Sequence, residues 1–141
     1  MSVTVTPHLN FRGDARAALE FYQSVVGGEI AIITYEQMGT VQDADEANQV
    51  VWGQVTGANG YRVMAYDVPG SQPFERGTQS FFVSLRGTDA DEIAALWSRL
   101  ADGANVIVTL APSQWAPLYG MLIDRFGVTW VLDVEVQWSP S

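Results

Sequence analysis

The feature that most constrains this chain is an order of predicted elements that occurs twice: one strand, one helix and then three strands. Short sequence matches follow the same order. Phe11-Arg12-Gly13 returns as Leu85-Arg86-Gly87, and Ala17-Ala18-Leu19 returns as Ala94-Ala95-Leu96. Either half is too short to hold a stable core of its own, so we expect both to pack into one domain. The sequence therefore predicts an α+β fold of two βαβββ modules, with the helices against the backs of curved mixed sheets.

Hydrophobic periodicity gives the bounds of these elements, because strands alternate apolar and polar residues and helices space them by three or four. The first module is predicted as strand 3–11, a helix over 15–26 capped by Asp14, and strands 29–37, 49–56 and 61–67. The second is predicted as strand 79–85, a helix capped by Thr88 or Asp89, and strands 104–110, 118–124 and 128–137. We expect one domain over 1–141, with modules at about 1–67 and 79–138 and a linker rich in Pro and Gly at 68–78.

The composition excludes several kinds of chemistry. The 141 residues include one His and no Cys, so the chain cannot form a disulfide framework, a thiolate nucleophile, an iron–sulfur cluster or a Cys-based zinc site. A formal net charge of −9 makes nucleic acid and anionic membrane surfaces poor partners. The first residues lack the basic start and apolar run of a signal peptide, and we expect a cytoplasmic protein.

Alternation also divides each predicted strand into two faces. If the helices cover the faces that carry Val5 and Phe81, the opposite faces carry aromatic side chains together with polar groups. Small-molecule pockets have the same mixture. Arg62 and Glu135 would be costly in a dry core, which favours a pocket over two faces closed on each other. The residues predicted to line this pocket are His8, Asn10, Trp52, Gln54, Arg62, Tyr66, Phe82, Trp115, Asp133 and Glu135.

Other chemistry in the pocket stays open. Asp133 or Glu135 could serve as a general base, or could simply be paired with Arg62 or Arg125. Trp115 lies in a loop between two prolines, which could close over the pocket or contact a neighbouring subunit. The sequence has no Gly-x-Ser-x-Gly elbow, and its Gly-rich turn at 57–60 precedes a strand rather than a phosphate-binding helix.

Two ends of the chain resemble a known family. Pro7-His8-Leu9-Asn10-Phe11-Arg12-Gly13 and Ala18-Leu19-Glu20-Phe21-Tyr22 are similar to the start of the vicinal-oxygen-chelate superfamily, the glyoxalase, bleomycin-resistance and dioxygenase fold. Asp124-Arg125-Phe126-Gly127-Val128-Thr129-Trp130 is similar to the end of its PhnB-like branch. The resemblance implies the two-module fold and a homodimer, because relatives build grooves across two chains. It leaves the reaction open, since the superfamily holds lyases, isomerases, dioxygenases, thiol transferases and drug-sequestering binders.

The resemblance also implies where a metal would bind. Relatives that catalyse reactions usually hold a divalent metal with His, Glu or Gln from both modules. His8 is the candidate in the first module, but its counterpart in the second is Phe82, which cannot bind a cation. We therefore predict a binder of a small organic molecule that uses no metal or other cofactor. The alternative is a metal-dependent lyase, isomerase or dioxygenase, an enzyme of glyoxalase or dioxygenase type, that uses His8, Gln54 and Glu135. A third possibility is an interaction domain with a filled interior.

Overall fold

The computed structural model describes residues 3–136, apart from the side chain of Asn59. The chain divides between Gly77 and Thr78 into two compact units. Within the described residues, no helix is long and apolar enough to cross a membrane.

The first unit is a four-stranded mixed sheet with one long helix on one face. Its elements are β1 (His8–Phe11), α1 (Ala15–Val26), β2 (Glu29–Thr34), the short helix α2 (Tyr35–Met38), β3 (Val50–Thr56) and β4 (Arg62–Asp67). The strand order is β1-β4-β3-β2, with β1 parallel to β4 and the other neighbours antiparallel. Helix α1 packs against the sheet through a buried apolar stripe that includes Leu19 and Tyr22.

The second unit repeats this arrangement. Its elements are β5 (Val83–Gly87), α3 (Ala90–Leu100), β6 (Asn105–Ala111), β7 (Tyr119–Ile123) and β8 (Thr129–Val134). The strand order is β5-β8-β7-β6, again with the first pair parallel and the others antiparallel. The predicted α+β fold of two βαβββ modules is therefore confirmed, and α2 is an addition to the first module.

Each helix approaches its sheet closely where a glycine stands in a strand. A Cβ on Gly53 in β3 would collide with the Leu19 side chain of α1. A Cβ on Gly120 in β7 would lie 2.8 Å from the indole ring of Trp97 in α3. Both glycines therefore remove a side chain where a helix residue must fit, which keeps each helix in contact with one face of its sheet.

Several predicted strands are shorter in the structure. The strand predicted over 3–11 begins only at His8, and the strand predicted over 79–85 begins only at Val83. Val5 and Phe81, which were expected under the helices, consequently lie outside the strands and are exposed. The strand predicted over 29–37 ends at Thr34, because the Thr34 hydroxyl and the Gln37 side chain form a capping box that starts α2. The last strand ends at Val134 rather than near 137, which lies outside the described residues.

The start of α1 is capped by a distant residue rather than by the predicted one. Asp14 occupies the N-cap position of α1, but its side chain makes no capping hydrogen bond. Instead, Oδ1 of Asp67, at the end of β4, accepts hydrogen bonds from the backbone N–H of Gly13 at 2.7 Å and of Ala15 at 3.0 Å. Its Oδ2 accepts from the N–H of Val50 at 2.9 Å. One buried carboxylate thus satisfies the N–H groups of the turn before α1, of the first residue of α1 and of the start of β3.

In the second unit, a carboxylate closes the hairpin between β7 and β8. Oδ1 of Asp124 accepts from the backbone N–H of Phe126 at 2.8 Å and of Val128 at 3.0 Å. Oδ2 accepts from the indole Nε1–H of Trp130 at 2.8 Å, and Trp130 is fully buried. Gly127 has a φ of 89°, in the left-handed region that this turn requires. The segment 124–130, which resembles the PhnB-like branch, therefore has a structural role in closing this hairpin.

Replacing the Asp67 carboxylate tests its role as a remote cap. Asp67→Asn puts an N–H₂ group against backbone N–H groups, so we expect the free energy of unfolding to fall by about 2–3 kcal/mol. Chemical denaturation measures this. The matched control Asp14→Asn, at an exposed side chain that caps nothing, should change stability by less than about 0.5 kcal/mol. Equal losses in the two variants would contradict the assignment of the cap to Asp67.

A second substitution tests the hairpin motif. Trp130→Phe leaves one buried oxygen of Asp124 without its indole donor and opens a small cavity, so we expect a loss of about 3 kcal/mol in unfolding free energy. Trp115→Phe is the control, since Trp115 is 64% exposed, and it should change stability by less than about 0.5 kcal/mol. A Trp130→Phe protein as stable as the control would show that the bond contributes nothing.

Candidate functional site

The face of the first sheet opposite α1, here the open face, carries the pocket residues predicted in the first module. On the other face, the side chains of Leu9, Phe11 and Ala65 are buried beneath α1. Side chains on the open face remain half-buried or exposed. The register arranges them in three cross-strand rows, which are Glu29–Thr56–Arg62, Ala31–Gln54–Met64–His8, and Ile33–Trp52 beside Tyr66–Asn10. The structure thus brings His8, Asn10, Trp52, Gln54, Arg62 and Tyr66 onto one surface.

His8 is held from two sides on this face. Its Nδ1 lies 2.9 Å from Oδ1 of Asn10, two residues further along β1. Its ring meets the ring of Tyr66 edge to face, with 5.4 Å between the centroids. The imidazole is exposed, so its remaining nitrogen is accessible from the open side of the sheet.

The other polar groups of the open face are also oriented by neighbours. The amide Nε2 of Gln54 donates to Oγ1 of Thr56 at 3.1 Å. Arg62 donates from Nε to Oγ1 of Thr6 at 3.0 Å and from Nη2 to Oγ1 of Thr4. The guanidinium is therefore bound to two hydroxyls of the segment before β1.

In the second unit, Asp133 and Glu135 are paired with Arg86. Nε of Arg86 lies 3.0 Å from Oδ1 of Asp133, and Nη1 lies 3.6 Å from Oε1 of Glu135. The hydrogen bond and the charge of Asp133 raise the pKa of Arg86 above its usual value, so it stays a cation. Sequence reasoning took Arg86 only as the end of a strand. The structure continues β5 to Gly87 and puts Arg86 opposite Asp133 in the register with β8.

The second expected partner of these carboxylates, Arg125, is engaged elsewhere. Its Nε and Nη2 donate to the backbone oxygen of Asp102 at 3.1 and 2.8 Å, and Nη2 also lies 3.1 Å from the Asp102 carboxylate. Arg125 therefore braces the end of α3 against the β7–β8 hairpin.

Two predicted aromatic residues of the second unit lie outside its strands. Phe82 directly precedes β5 and is 41% exposed. Trp115 lies in the loop before β7, where its ring meets Tyr119 edge to face at 5.2 Å. Tyr119 is opposite Asp133 in the register, so this aromatic pair borders the Arg86 ion pairs. The indole of Trp97 lies against Gly120 of β7, and Trp130 is fully buried in β8.

The residues present give a poor fit to a divalent metal. Among residues 3–136, no three His, Asp or Glu side chains are grouped so that they could hold a metal ion. Of the alternative ligands, Glu135 faces a guanidinium, whose positive charge disfavours a cation beside it. The contact between Nδ1 of His8 and Asn10 leaves Nε2 available and does not itself disfavour a metal. A metal-free protein stays a prediction.

Known proteins resemble this chain along nearly its whole length. A family model described as 3-demethylubiquinone-9 3-methyltransferase matches residues 3–132. Protein YjdN from Escherichia coli (strain K12) is 26% identical over 142 residues, which cover 94% of this chain and 96% of that protein. The crystal structure of protein PA1353 from Pseudomonas aeruginosa is 30% identical with a TM-score of 0.81, and the match covers 95% of this chain and 98% of that one.

More distant structures share the fold. The PhnB protein from Bacillus cereus is 24% identical with a TM-score of 0.68, covering 94% of this chain and 100% of that one. A glyoxylase/bleomycin resistance protein/dioxygenase domain from Frankia sp. EAN1pec has a TM-score of 0.65 at 12% identity, covering 96% and 99%. The resemblance stated from the sequence is confirmed. The chain belongs to the 3-demethylubiquinone-9 3-methyltransferase-like (PhnB) family and has the fold of the glyoxalase, bleomycin-resistance and dioxygenase proteins.

Proposed function

We propose that this protein binds a small organic molecule on the open face of the first sheet without the help of a metal. The observation that carries the proposal is the make-up of that face. It combines the aromatic rings of Trp52 and Tyr66 with the hydrogen-bonding groups of His8, Asn10 and Gln54. These side chains are half-buried or exposed. Faces that mix aromatic area with a few oriented polar groups are typical of small-molecule sites.

The aromatic residues support a planar ligand. Trp52 is in register with Ile33, which places an indole next to an aliphatic side chain on the same surface. A planar molecule would bury large apolar areas by stacking on such a surface. The polar groups beside it would then fix the orientation of the molecule rather than supply most of the affinity.

The polar groups support binding over closure of the face. Pressed against a dry interior, His8, Asn10 and Gln54 would lose water from their remaining donors and acceptors, at a cost of about 1–3 kcal/mol for each unsatisfied group. A ligand with matching groups would remove that cost. In the second unit, the Arg86 ion pairs with Asp133 and Glu135, next to Tyr119 and Trp115, are a further polar and aromatic surface.

We include a homodimer and a cytoplasmic location in the same proposal. Both follow from the resemblance and the sequence alone. Sedimentation equilibrium tests the first, since a homodimer has twice the mass of one chain and a monomer would remove this part of the proposal.

Tryptophan fluorescence tests binding at the open face. A panel of planar aromatic compounds, including 4-nitroanisole as a strong quencher, is titrated into wild-type protein and into Trp52→Ala. We expect saturable quenching in the wild type and an affinity about tenfold weaker in Trp52→Ala, because a stacking surface is lost. Trp97→Phe is the control, since Trp97 packs inside the second unit, and it should bind as the wild type does.

Two results would count against the proposal. If no compound in the panel quenches the fluorescence, or if quenching is identical in Trp52→Ala, the result favours the third possibility, an interaction domain with a filled interior. Metal analysis of protein purified without chelators is the second measurement, for which we expect far less than one equivalent of any transition metal. A full equivalent of zinc, nickel or iron that is lost in His8→Ala would instead favour the metal-dependent alternative with His8, Gln54 and Glu135.

A further inference from the structure

His8 and Asn10 form a pair that fixes which nitrogen of the imidazole carries its proton. The 2.9 Å contact joins Nδ1 of His8 to Oδ1 of Asn10. An amide oxygen only accepts hydrogen bonds, so Nδ1 must be the donor. In the neutral imidazole, Nε2 is then unprotonated and can only accept. A neutral histidine without such a partner carries its proton mostly on Nε2, so Asn10 reverses the ordinary preference.

Gln54 presents a second acceptor in the same row. Its Nε2 donates to Thr56 at 3.1 Å, and the carbonyl oxygen Oε1 of the same amide is an acceptor. His8 and Gln54 are both in register with Met64, on either side of it, so their Cα atoms lie about 10 Å apart, twice the strand spacing. The thioether between them is apolar and at most a weak acceptor. The row therefore has a hydrogen-bond acceptor on each side, from His8 and Gln54, and the apolar side chain of Met64 between them.

The positive charge in the adjacent row is already engaged. Arg62, one row away, donates to the hydroxyls of Thr6 and Thr4. Glu29 ends the row that contains Arg62, across Thr56. An anionic ligand group would thus meet acceptors and an acidic neighbour, in a chain of net charge −9.

We infer that His8, held as the Nδ1–H tautomer by Asn10, selects ligands that bring an O–H or N–H donor to Nε2, with Gln54 Oε1 as a second acceptor. The ligand class is a neutral planar molecule with a hydroxyl or N–H group at its edge, such as a phenol, an enol or a cyclic amide. This inference rests on the function proposed above, because it concerns what the open face accepts. His8 is a specificity-determining residue and Asn10 is its positioning residue.

The tautomer can be measured directly, because His8 is the only histidine in the chain. Its ring nitrogens give one pair of ¹⁵N signals, recorded in alkaline buffer at a pH above which the signals no longer change. In the wild type we expect the chemical shifts and couplings of the Nδ1–H form. Asn10→Leu removes the acceptor and should shift the ring to mainly the Nε2–H form. Asn10→Asp keeps an acceptor at the same place and should restore the Nδ1–H form.

Asn105→Leu is the matched control, an exposed asparagine at the start of β6 in the second unit, and it should leave the His8 signals unchanged. A merely structural role for Asn10 would alter stability without reversing the tautomer. A wild-type ring in the Nε2–H form, or an Nδ1–H form that survives Asn10→Leu, would overturn the inference.

Ligand selection is tested with two probes of the same planar body. 2-Naphthol has a hydroxyl donor, and 2-methoxynaphthalene has a methyl ether in its place. Binding is followed at neutral pH by shifts of the tryptophan indole N–H signals. Because an unmatched acceptor loses its water without gaining a donor, we expect the naphthol to bind the wild type about five- to tenfold more tightly. His8→Phe keeps a flat ring but has no acceptor and should bind both probes with nearly equal affinity.

The outcomes separate the two hypotheses. If both probes bind the wild type equally well and binding needs Trp52, the selection by His8 is wrong while the proposed function stands. If neither probe binds and the panel above gives no quenching, the proposed function fails and the ligand selection fails with it. A preference for the naphthol that is unchanged in His8→Phe would place the selecting acceptor elsewhere and overturn the role of His8.

Discussion

The buried carboxylate of Asp67 holds the parts of the first unit on which the open face depends. It accepts backbone hydrogen bonds from the turn before α1 and from Val50 at the start of β3. The backbone carbonyl oxygen of Asp67 accepts a hydrogen bond from the hydroxyl of Tyr35 at 2.6 Å. Burial raises the pKa of that phenol, which keeps the hydroxyl a donor. The carboxylate is 1% exposed, and the donors around it compensate for its lost hydration. The ends of β1, β3 and β4 are thereby fixed to one another, and with them the rows of the open face.

The two units share a topology but differ in how polar groups brace it. In the first, one aspartate at the end of β4 joins three backbone segments. In the second, Asp124 closes the hairpin between β7 and β8, while Asp89 caps α3 locally through the N–H of Asp91. The corresponding faces differ as well, since one carries an imidazole–amide pair and the other a guanidinium between two carboxylates. A duplicated fold therefore does not give a duplicated site.

Much of the fold could be predicted from the sequence because its signals are local. Helix α1 was predicted at its observed bounds, since its apolar spacing is a local signal within the segment itself. The remote cap was not predictable, because Asp67 and Gly13 are brought together by the parallel pairing of β1 and β4. The capping box at Thr34 was missed, although Thr34 and Gln37 have the spacing that signals one.

For the candidate site, the sequence predicts which face a side chain lies on better than it predicts the partner of that side chain. Alternation was enough to assign His8, Gln54 and Tyr66 to one face, because side chains two apart on a strand share a face. Partners were harder to predict, since hydrogen bonds depend on register. Arg86 was overlooked as the partner of Asp133 because Arg86-Gly87 has the look of a strand end, and only the parallel register with β8 sets it opposite the carboxylate.

The hairpin built on Asp124 has a consequence for how sequences of this kind are grouped. The carboxylate, Gly127 and the buried indole of Trp130 serve the closing of a turn, and none of them lies on the open face. A sequence match that rests on this turn therefore reports the scaffold and carries no information about a reaction.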